Sequence, residues 1–246
     1  MKKTILLSSL LIILFSSHAQ GLKGLLKKDS SGKTGFGKLL GTGSKPGLSN
    51  DEIIGGLKEA LSVGTNNASG QLSNVDGFFK DAAIKILMPE EAKKVESKLR
   101  GLGMGKQVDN AILSMNRAAE DASKEVAPIF MNAIKGITIG DGLSILKGGD
   151  FAATNYLKDR TTASLTEKFR PIIETSLQKV DATKYWNTVF TTYNRFSTEK
   201  VNTDLIAYVT EKALAGLFYQ VGLEEQKIRK DPLARTTDIL KKVFAN

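Results

Sequence analysis

Cysteine is absent from this chain of 246 residues, and the single histidine is His18. Because His18 lies in a stretch with the features of an export signal, the rest of the chain has neither residue. Ser-His-Asp and Cys-His nucleophilic sites are therefore excluded there, as are zinc sites with nitrogen or sulfur ligands. A metal ion would depend on carboxylates alone, which favours magnesium or calcium. Without disulfides the protein relies on its core, for which about 200 residues are ample.

The N-terminal stretch has the order of residues that is typical of a signal peptide. Lys2 and Lys3 give a basic start, residues 5–15 are a mostly apolar run, and residues 17–19 (Ser-His-Ala) form a small-x-small cleavage site. The apolar run is too short for a stable membrane-spanning helix. We therefore expect residues 1–19 to be removed after Ala19. The mature protein would then be periplasmic, with no transmembrane helix and no cysteine for a lipid anchor.

Positive charge is concentrated in the next stretch, residues 20–47. The chain has a net charge of +9, of which the two signal lysines contribute +2 and residues 20–45 contribute +5, leaving about +2 for the remainder. Its Gly, Lys and Ser content predicts a flexible basic linker. Leucines beside lysines in residues 22–28 allow a second interpretation, peripheral contact with an anionic membrane. A nucleic-acid partner is not expected, because the remaining domain lacks a strong excess of basic residues.

Residues 48–246 are predicted to form one all-α domain, since no run alternates in the manner of a strand. Apolar residues recur at steps of three and four from Gly105 to Lys135, which predicts one helix roughly 45 Å long. A second long helix is predicted from Asp204 to Lys230. The expected fold is thus a single irregular multi-helix bundle with two long central helices, preceded by the flexible tether.

Local signals mark several helix boundaries. Ser49 and Glu52 have the spacing of a capping box at the start of the domain. Asp150 is expected to cap a helix over residues 151–158, and Pro171 to kink or divide the helix that follows. An aromatic cluster is expected from Tyr185, Trp186, Val189, Phe190 and Tyr193. The C-terminus is expected to dock on the domain through Ile239, Leu240, Val243 and Phe244.

Three groups of polar residues are candidate functional sites. In the functional interpretation they gather around one cleft, where an arginine binds a carboxylate or phosphate of a ligand. In the structural interpretation they are salt bridges and caps that fix the helix register. The Arg117–Glu120 pair is expected to face other helices, with partners on the C-terminal helix. The groups are Asn116, Arg117 and Glu120; Asp150, Thr154 and Arg160; and Glu224, Glu225, Arg229 and Arg235.

Three segments of the domain carry a resemblance to a known family. They are SMNRAAEDA at residues 114–122, ILKGGDFAATNYLKDRT at residues 145–161, and GLFYQVGLEEQKIRKDPLARTTDILKKVF near the C-terminus. In order and spacing they resemble the bacterial family called domain of unknown function 4197, from about residue 47 to residue 244. The resemblance implies an exported, largely helical protein. It transfers no catalytic residue, because the family has no assigned activity.

Two classes of function remain. The first is a non-enzymatic binding or interaction module of the cell envelope, without a cofactor, that holds a small apolar or anionic ligand between helices. It predicts an apolar pocket with one or two arginines at its mouth. The alternative is a hydrolase or lyase with paired carboxylates, such as Glu120 with Asp150 or Glu224. It predicts two acids within about 10 Å in an open cleft. Asp141 and Asp150 could share a cation, although helix capping explains each of them.

Overall fold

The computed structural model describes residues 49–198, 200, 203–235 and 237–243. Within these ranges the chain forms helices and turns and no strand, so the all-α prediction is confirmed. Short 3-10 turns lie at Glu90–Ala92, Ser123–Glu125 and Pro232–Ala234. The α-helices are α1 (Asn50–Ser73), α2 (Lys93–Gly101), α3 (Gly105–Ala122), α4 (Val126–Lys135), α5 (Ile139–Lys147), α6 (Ala152–Gln178), α7 (Ala182–Phe196), α8 (Leu205–Lys230) and α9 (Asp238–Val243).

The centre of the domain is α6, which packs against both α3 and α8. Its buried positions recur every four residues, which places them along one face of the helix. Helix α1 also packs against α8, so that α8 contacts two long neighbours. The apolar residues that α6 buries are Ala153, Leu157, Leu165, Phe169, Ile173 and Leu177.

The prediction of one continuous helix over Gly105–Lys135 is wrong in detail. The α-helical pattern stops at Ala122, passes through the 3-10 turn Ser123–Glu125, and resumes as α4. Pro128 explains the change, because it has no N–H to donate to the carbonyl four residues earlier and is tolerated best in the first turn of a helix. The apolar face nevertheless continues across the break, with Met115 and Val126 both buried.

Of the two outcomes expected at Pro171, a kink or a division of the helix, the division does not occur, since α6 runs through this residue and includes the segment expected to be a separate helix over residues 151–158. Proline frees the carbonyl four residues earlier, which belongs to Glu167. Both Pro171 and Glu167 are exposed, so water can satisfy that carbonyl at little cost. The opposite face, with Phe169 and Ile173, stays fully buried and keeps the helix packed.

The start of the domain agrees with the predicted capping box. The Glu52 carboxylate accepts from the Ser49 backbone at 2.9 Å, and the Ser49 hydroxyl accepts from the Glu52 backbone at 3.3 Å. The predictions for residues 1–19 and 20–47 lie outside the described residues and stay predictions. So do the side chains of Tyr185, Ile239 and Leu240, together with all of Phe244.

Hydropathy does not mark any one described helix as a membrane span. Two consecutive helical segments, Gly105–Lys135 and Ile139–Lys147, are long and apolar enough for a membrane span only when they are taken together, and they are bent by 107° at the break between them. Within that pair Val108, Met115 and Phe130 are buried in the core of the domain.

Candidate functional site

Glu120 on α3 is buried and bonded to the backbone of a turn. Its carboxylate accepts from the N–H groups of Phe78 at 3.0 Å and Phe79 at 3.2 Å. The other oxygen accepts from Arg117 at 2.6 Å, and the same guanidinium donates to Asp76 at 2.6 Å. The Arg117 side chain is 35% exposed, so the expected exclusion of the pair from water holds only at Glu120, which is 3% exposed. Its main partners are backbone amides of the turn.

The charges of this cluster stabilise one another. Hydrogen bonding to Glu120, together with that to Asp76, raises the pKa of Arg117. Hydrogen bonds from Lys80 and then Arg117 lower the pKa of Asp76. Asp76 and Arg117 therefore stay ionised at neutral pH, so neither group is suited to exchanging protons in catalysis.

Asn116 holds a non-helical segment, residues 85–89, against α3. Its side-chain oxygen accepts from the N–H of Ile86 at 2.9 Å, and its side-chain nitrogen donates to the carbonyl of Ile86 at 2.8 Å. The same nitrogen donates to Ile112 in the preceding turn. Asn116 is fully buried, so the amide replaces the hydrogen bonds that a neighbouring strand would supply.

Glu225 on α8 caps the N-terminus of α6. It accepts from the N–H groups of Ala153 at 3.0 Å and Thr154 at 2.8 Å, and from the Thr154 hydroxyl at 2.7 Å. Asp150, which the sequence predicted to be the cap of this helix, instead pairs with Lys230 at 2.7 Å on the surface. Free N–H groups and the helix dipole favour a carboxylate at this end, and here a distant helix supplies it.

The remaining residues near the end of α8 do not meet Asn116, Arg117 and Glu120, so that predicted partnership is wrong. Glu224 accepts from Asn67 of α1 at 3.1 Å and pairs with Lys227. Arg229 bonds Glu225 and donates to the carbonyl of Ile145 at 2.9 Å. These contacts fix α8 against α1, α5 and α6.

The other two candidate arginines interact with groups a few residues away in the chain. Arg235 donates to the carbonyls of Ile228 and Arg229 at the end of α8. Arg160 lies over the ring of Tyr156, with its guanidinium carbon 5.4 Å from the ring centre. The ten candidates therefore do not gather around one cleft.

The carboxylates proposed for catalysis or for a cation have separate partners. Asp141 forms a capping box with Thr138, whose backbone and hydroxyl hydrogen bonds lower the pKa of Asp141. Asp150 is paired with Lys230, while Glu120 and Glu224 have the partners given above. Across the described ranges, no group of three or more acidic or histidine side chains is placed to hold a metal ion.

An apolar groove lies between α2, α3 and α7, where no candidate residue had been assigned. It encloses a cavity of about 670 Å³. Arg100 lies beside it, bonded at 2.9 Å to Glu96, which is one of the few polar residues in the lining. The sequence did contain a signal for this groove, because part of the predicted aromatic cluster lies on α7 and lines it. The lining includes Val95 and Leu99 from α2, Val108 and Met115 from α3, and Trp186 and Phe190 from α7.

The helices that form this groove carry the positive charge of the domain. Helices α2, α3 and α7 together contain eight basic and four acidic side chains, a net charge of +4. Residues 48–246 as a whole carry only +2, so the rest of the domain is net −2. An apolar groove with basic surroundings suits a ligand that combines an apolar body with a negative charge.

The fold and the groove together define an all-α protein with a candidate ligand site between three helices. Over residues 47–245 the chain matches the model of a family described as protein of unknown function (DUF4197), and it belongs to that family. The resemblance carried by the three segments is thus confirmed. No curated protein and no solved structure matches the chain.

Proposed function

We propose that this protein is a non-catalytic binding module of the cell envelope, and that it holds a small apolar ligand with an anionic end in the groove between α2, α3 and α7. The supporting observation is the groove itself. Its volume of about 670 Å³ falls within the range of known ligand sites, about 300–1,000 Å³. Its lining is mainly apolar, with Glu96 as a charged member that is bonded to Arg100, and the helices that form the groove are net positive.

The lining is suited to an apolar body of variable shape. Trp186 and Phe190 pack together with ring centres 4.3 Å apart and are 5% and 4% exposed, which gives one wall a fixed aromatic surface. Met88, Met104 and Met115 also line the groove. Methionine side chains are flexible and polarizable, so they adapt to different apolar shapes.

The carboxylate enzyme has less support. A general acid or base must be able to gain or lose a proton at the substrate. Glu120 uses its oxygens on two backbone N–H groups and Arg117, and Glu225 uses its own on the start of α6 and Arg229. The structural roles of these carboxylates favour the binding module.

The proposed location in the cell envelope rests on the signal-like order of residues 1–19. We expect protein recovered from the envelope of the cell to begin at Gln20. Intact-mass analysis measures this directly, and a chain that retains residues 5–15 would contradict processing.

The groove contains the only tryptophan of the chain, Trp186, which gives a direct test. The probe is anilinonaphthalene sulfonate, an apolar dye with one negative charge. We expect the dye to quench Trp186 by energy transfer and palmitate to displace it. Ala111 lines the groove, and Ala111→Phe should weaken dye binding by about tenfold or more, because the new ring occupies the space of the ligand.

Ala82→Phe is the matched control, since Ala82 is exposed on a turn that does not line this groove. Circular dichroism should show that both variants keep the helical fold. Equal dye affinity of the wild type and Ala111→Phe, or quenching that palmitate does not reverse, would contradict the proposed site.

A further inference from the structure

A second cavity, which we call the polar cleft, lies between α4, α5 and α6. Its volume is about 460 Å³, and it shares no lining residue with the groove between α2, α3 and α7. Apolar side chains from α4 form part of its wall, and most of the remaining wall is polar. The polar side chains include Asn132, Asp141, Tyr156, Arg160 and Ser164.

Two opposite charges line the polar cleft. Asp141 lies on α5 and Arg160 on α6. Hydrogen bonds from Thr138 lower the pKa of Asp141, and the positive charge of Arg160 contributes to the same effect. The two charges are therefore near each other, yet no direct ion pair joins them in the described part of the chain. The space between them is open to a ligand with both charges.

Tyr156 holds the guanidinium of Arg160 at the polar cleft. The guanidinium carbon lies 5.4 Å from the ring centre, and the hydroxyl of Tyr156 is near Asp141, because burial and then the charge of Asp141 raise the pKa of Tyr156. A cation–π contact leaves the N–H groups of arginine free to donate. Arg160 forms no hydrogen bond or ion pair with any described residue, so these donors are available to a ligand.

Two further polar side chains of the cleft have no partner among the described residues. The other hydroxyl side chains of α6 all donate hydrogen bonds, mostly to the carbonyl four residues earlier. Ser164, one helical turn after Arg160, does not. The side-chain amide of Asn132 on α4 is also unbonded there. Donors from two helices thus accompany Arg160 at one cavity.

We propose that the polar cleft is a second binding site and that it takes a free α-amino acid. The α-carboxylate accepts two parallel hydrogen bonds from the guanidinium of Arg160, and the α-ammonium group donates to the carboxylate of Asp141. The side chain of the amino acid lies toward α4, where Ile129 offers an apolar contact and Asn132 a polar one. This site goes beyond the proposed function and does not depend on the groove.

Charge favours a zwitterion over other small ligands. A simple anion bound to Arg160 would be repelled by Asp141, and a simple cation bound to Asp141 would be repelled by Arg160. An apolar ligand would cover polar groups without replacing their hydrogen bonds to water. An amino acid has no net charge and is complementary to both groups. The cavity volume lies within the range of known ligand sites, about 300–1,000 Å³.

The first experiment uses the full chain without substitution. The probe is an equimolar mixture of the common amino acids, and saturation-transfer difference NMR identifies those that bind. We expect at least one amino acid to receive saturation. Its carboxamide lacks the carboxylate, and its N-acetyl derivative lacks the ammonium group. Each derivative should bind about tenfold more weakly or worse, because each loses a charge-assisted hydrogen bond.

Variants of α6 locate the site. Arg160→Gln should lower the affinity about tenfold or more, whereas Lys158→Gln removes the same charge from an exposed position outside the cleft and should have little effect. Ser164→Phe should block the cleft with its ring. Ala163→Phe is its matched control, since Ala163 is exposed and does not line the cleft. Circular dichroism and dye binding to the groove should be unchanged in all four variants, because none of these positions lines the groove.

The proposal is overturned if no amino acid receives saturation, or if Arg160→Gln and Lys158→Gln bind alike. An N-acetyl derivative that binds as tightly as the free amino acid would indicate a site for anions and overturn the zwitterion. A carboxamide that binds equally well would contradict the contact with Arg160. Both derivatives are tested on the unaltered protein, so these results do not depend on the folding of a variant. Failure at the cleft leaves dye binding to the groove as a separate test of the proposed function.

Discussion

Replacement of Glu120 by alanine is expected to lower the free energy of unfolding by about 3–5 kcal/mol, because each unpaired buried N–H group costs about 1–3 kcal/mol and the half-buried Arg117 loses a partner. The carboxylate is almost completely buried and serves three donors at once. Alanine would leave the N–H groups of Phe78 and Phe79 without an acceptor and would remove one partner of Arg117. Phe78 is fully buried, so the turn cannot simply move into water.

Chemical denaturation measures this loss. Asp109→Ala is the matched control, because Asp109 pairs with Arg100 at 2.8 Å but its side chain is 65% exposed. Exposed pairs contribute about 0–1 kcal/mol, so the control should differ little from the wild type. A loss below about 1 kcal/mol for Glu120→Ala would mean that the ion pair of Glu120 contributes no more than an exposed pair, which would contradict its structural role.

Glu225→Ala is expected to have an effect of similar size, about 3–5 kcal/mol, because it uncaps α6 and leaves Arg229 without its buried carboxylate. Side-chain caps alone are typically worth about 1 kcal/mol, but this one also bonds the Thr154 hydroxyl and Arg229. The affected helix is the centre of the domain. Its N-terminal turn should therefore lose its protection from hydrogen exchange first.

The control for Glu225→Ala is a variant of Asp150, the residue that was predicted to cap this helix but pairs with Lys230 instead. Asp150→Ala removes a surface pair with Lys230, whose two side chains are more than half exposed, and should cost less than about 1 kcal/mol. Denaturation and hydrogen exchange of α6 separate the two carboxylates. Comparable losses for both variants would indicate that Asp150 has a role in the helix start that its contacts do not reveal.

Sequence periodicity located most helices but misjudged the effect of both prolines on helix continuity. Pro171 was expected to kink or divide its helix, and the helix is not divided. Proline matters less where the freed carbonyl faces water, and this exposure depends on the tertiary fold. Pro128 has the opposite outcome: it lies in the first turn of α4, after a break in the α-helical pattern at Ser123–Glu125, because it has no N–H for the carbonyl four residues earlier. Capping signals were more reliable where both partners lie within one turn, as for Ser49 with Glu52 and Thr138 with Asp141.

The polar residues show a second limit. The position of Asn116 and Glu120 within the apolar periodic segment predicted that they face protein, and both are buried. Their partners were missed because they are backbone groups 30 to 42 residues away, and a backbone amide leaves no signature in the choice of residue. The groove was missed for a related reason. Its walls come from three helices, and only packing shows that their apolar faces leave a space.

The capping of α6 by α8 also has a consequence for the order of synthesis. Ala153 and Glu225 are separated by 72 residues, so α6 leaves the ribosome well before its cap. At typical rates of 5–20 residues per second the interval is about 4–14 s. During that time the first amides of the central helix lack their Glu225 acceptor. In an exported protein, which is the location proposed above, such a delay would favour transport before folding.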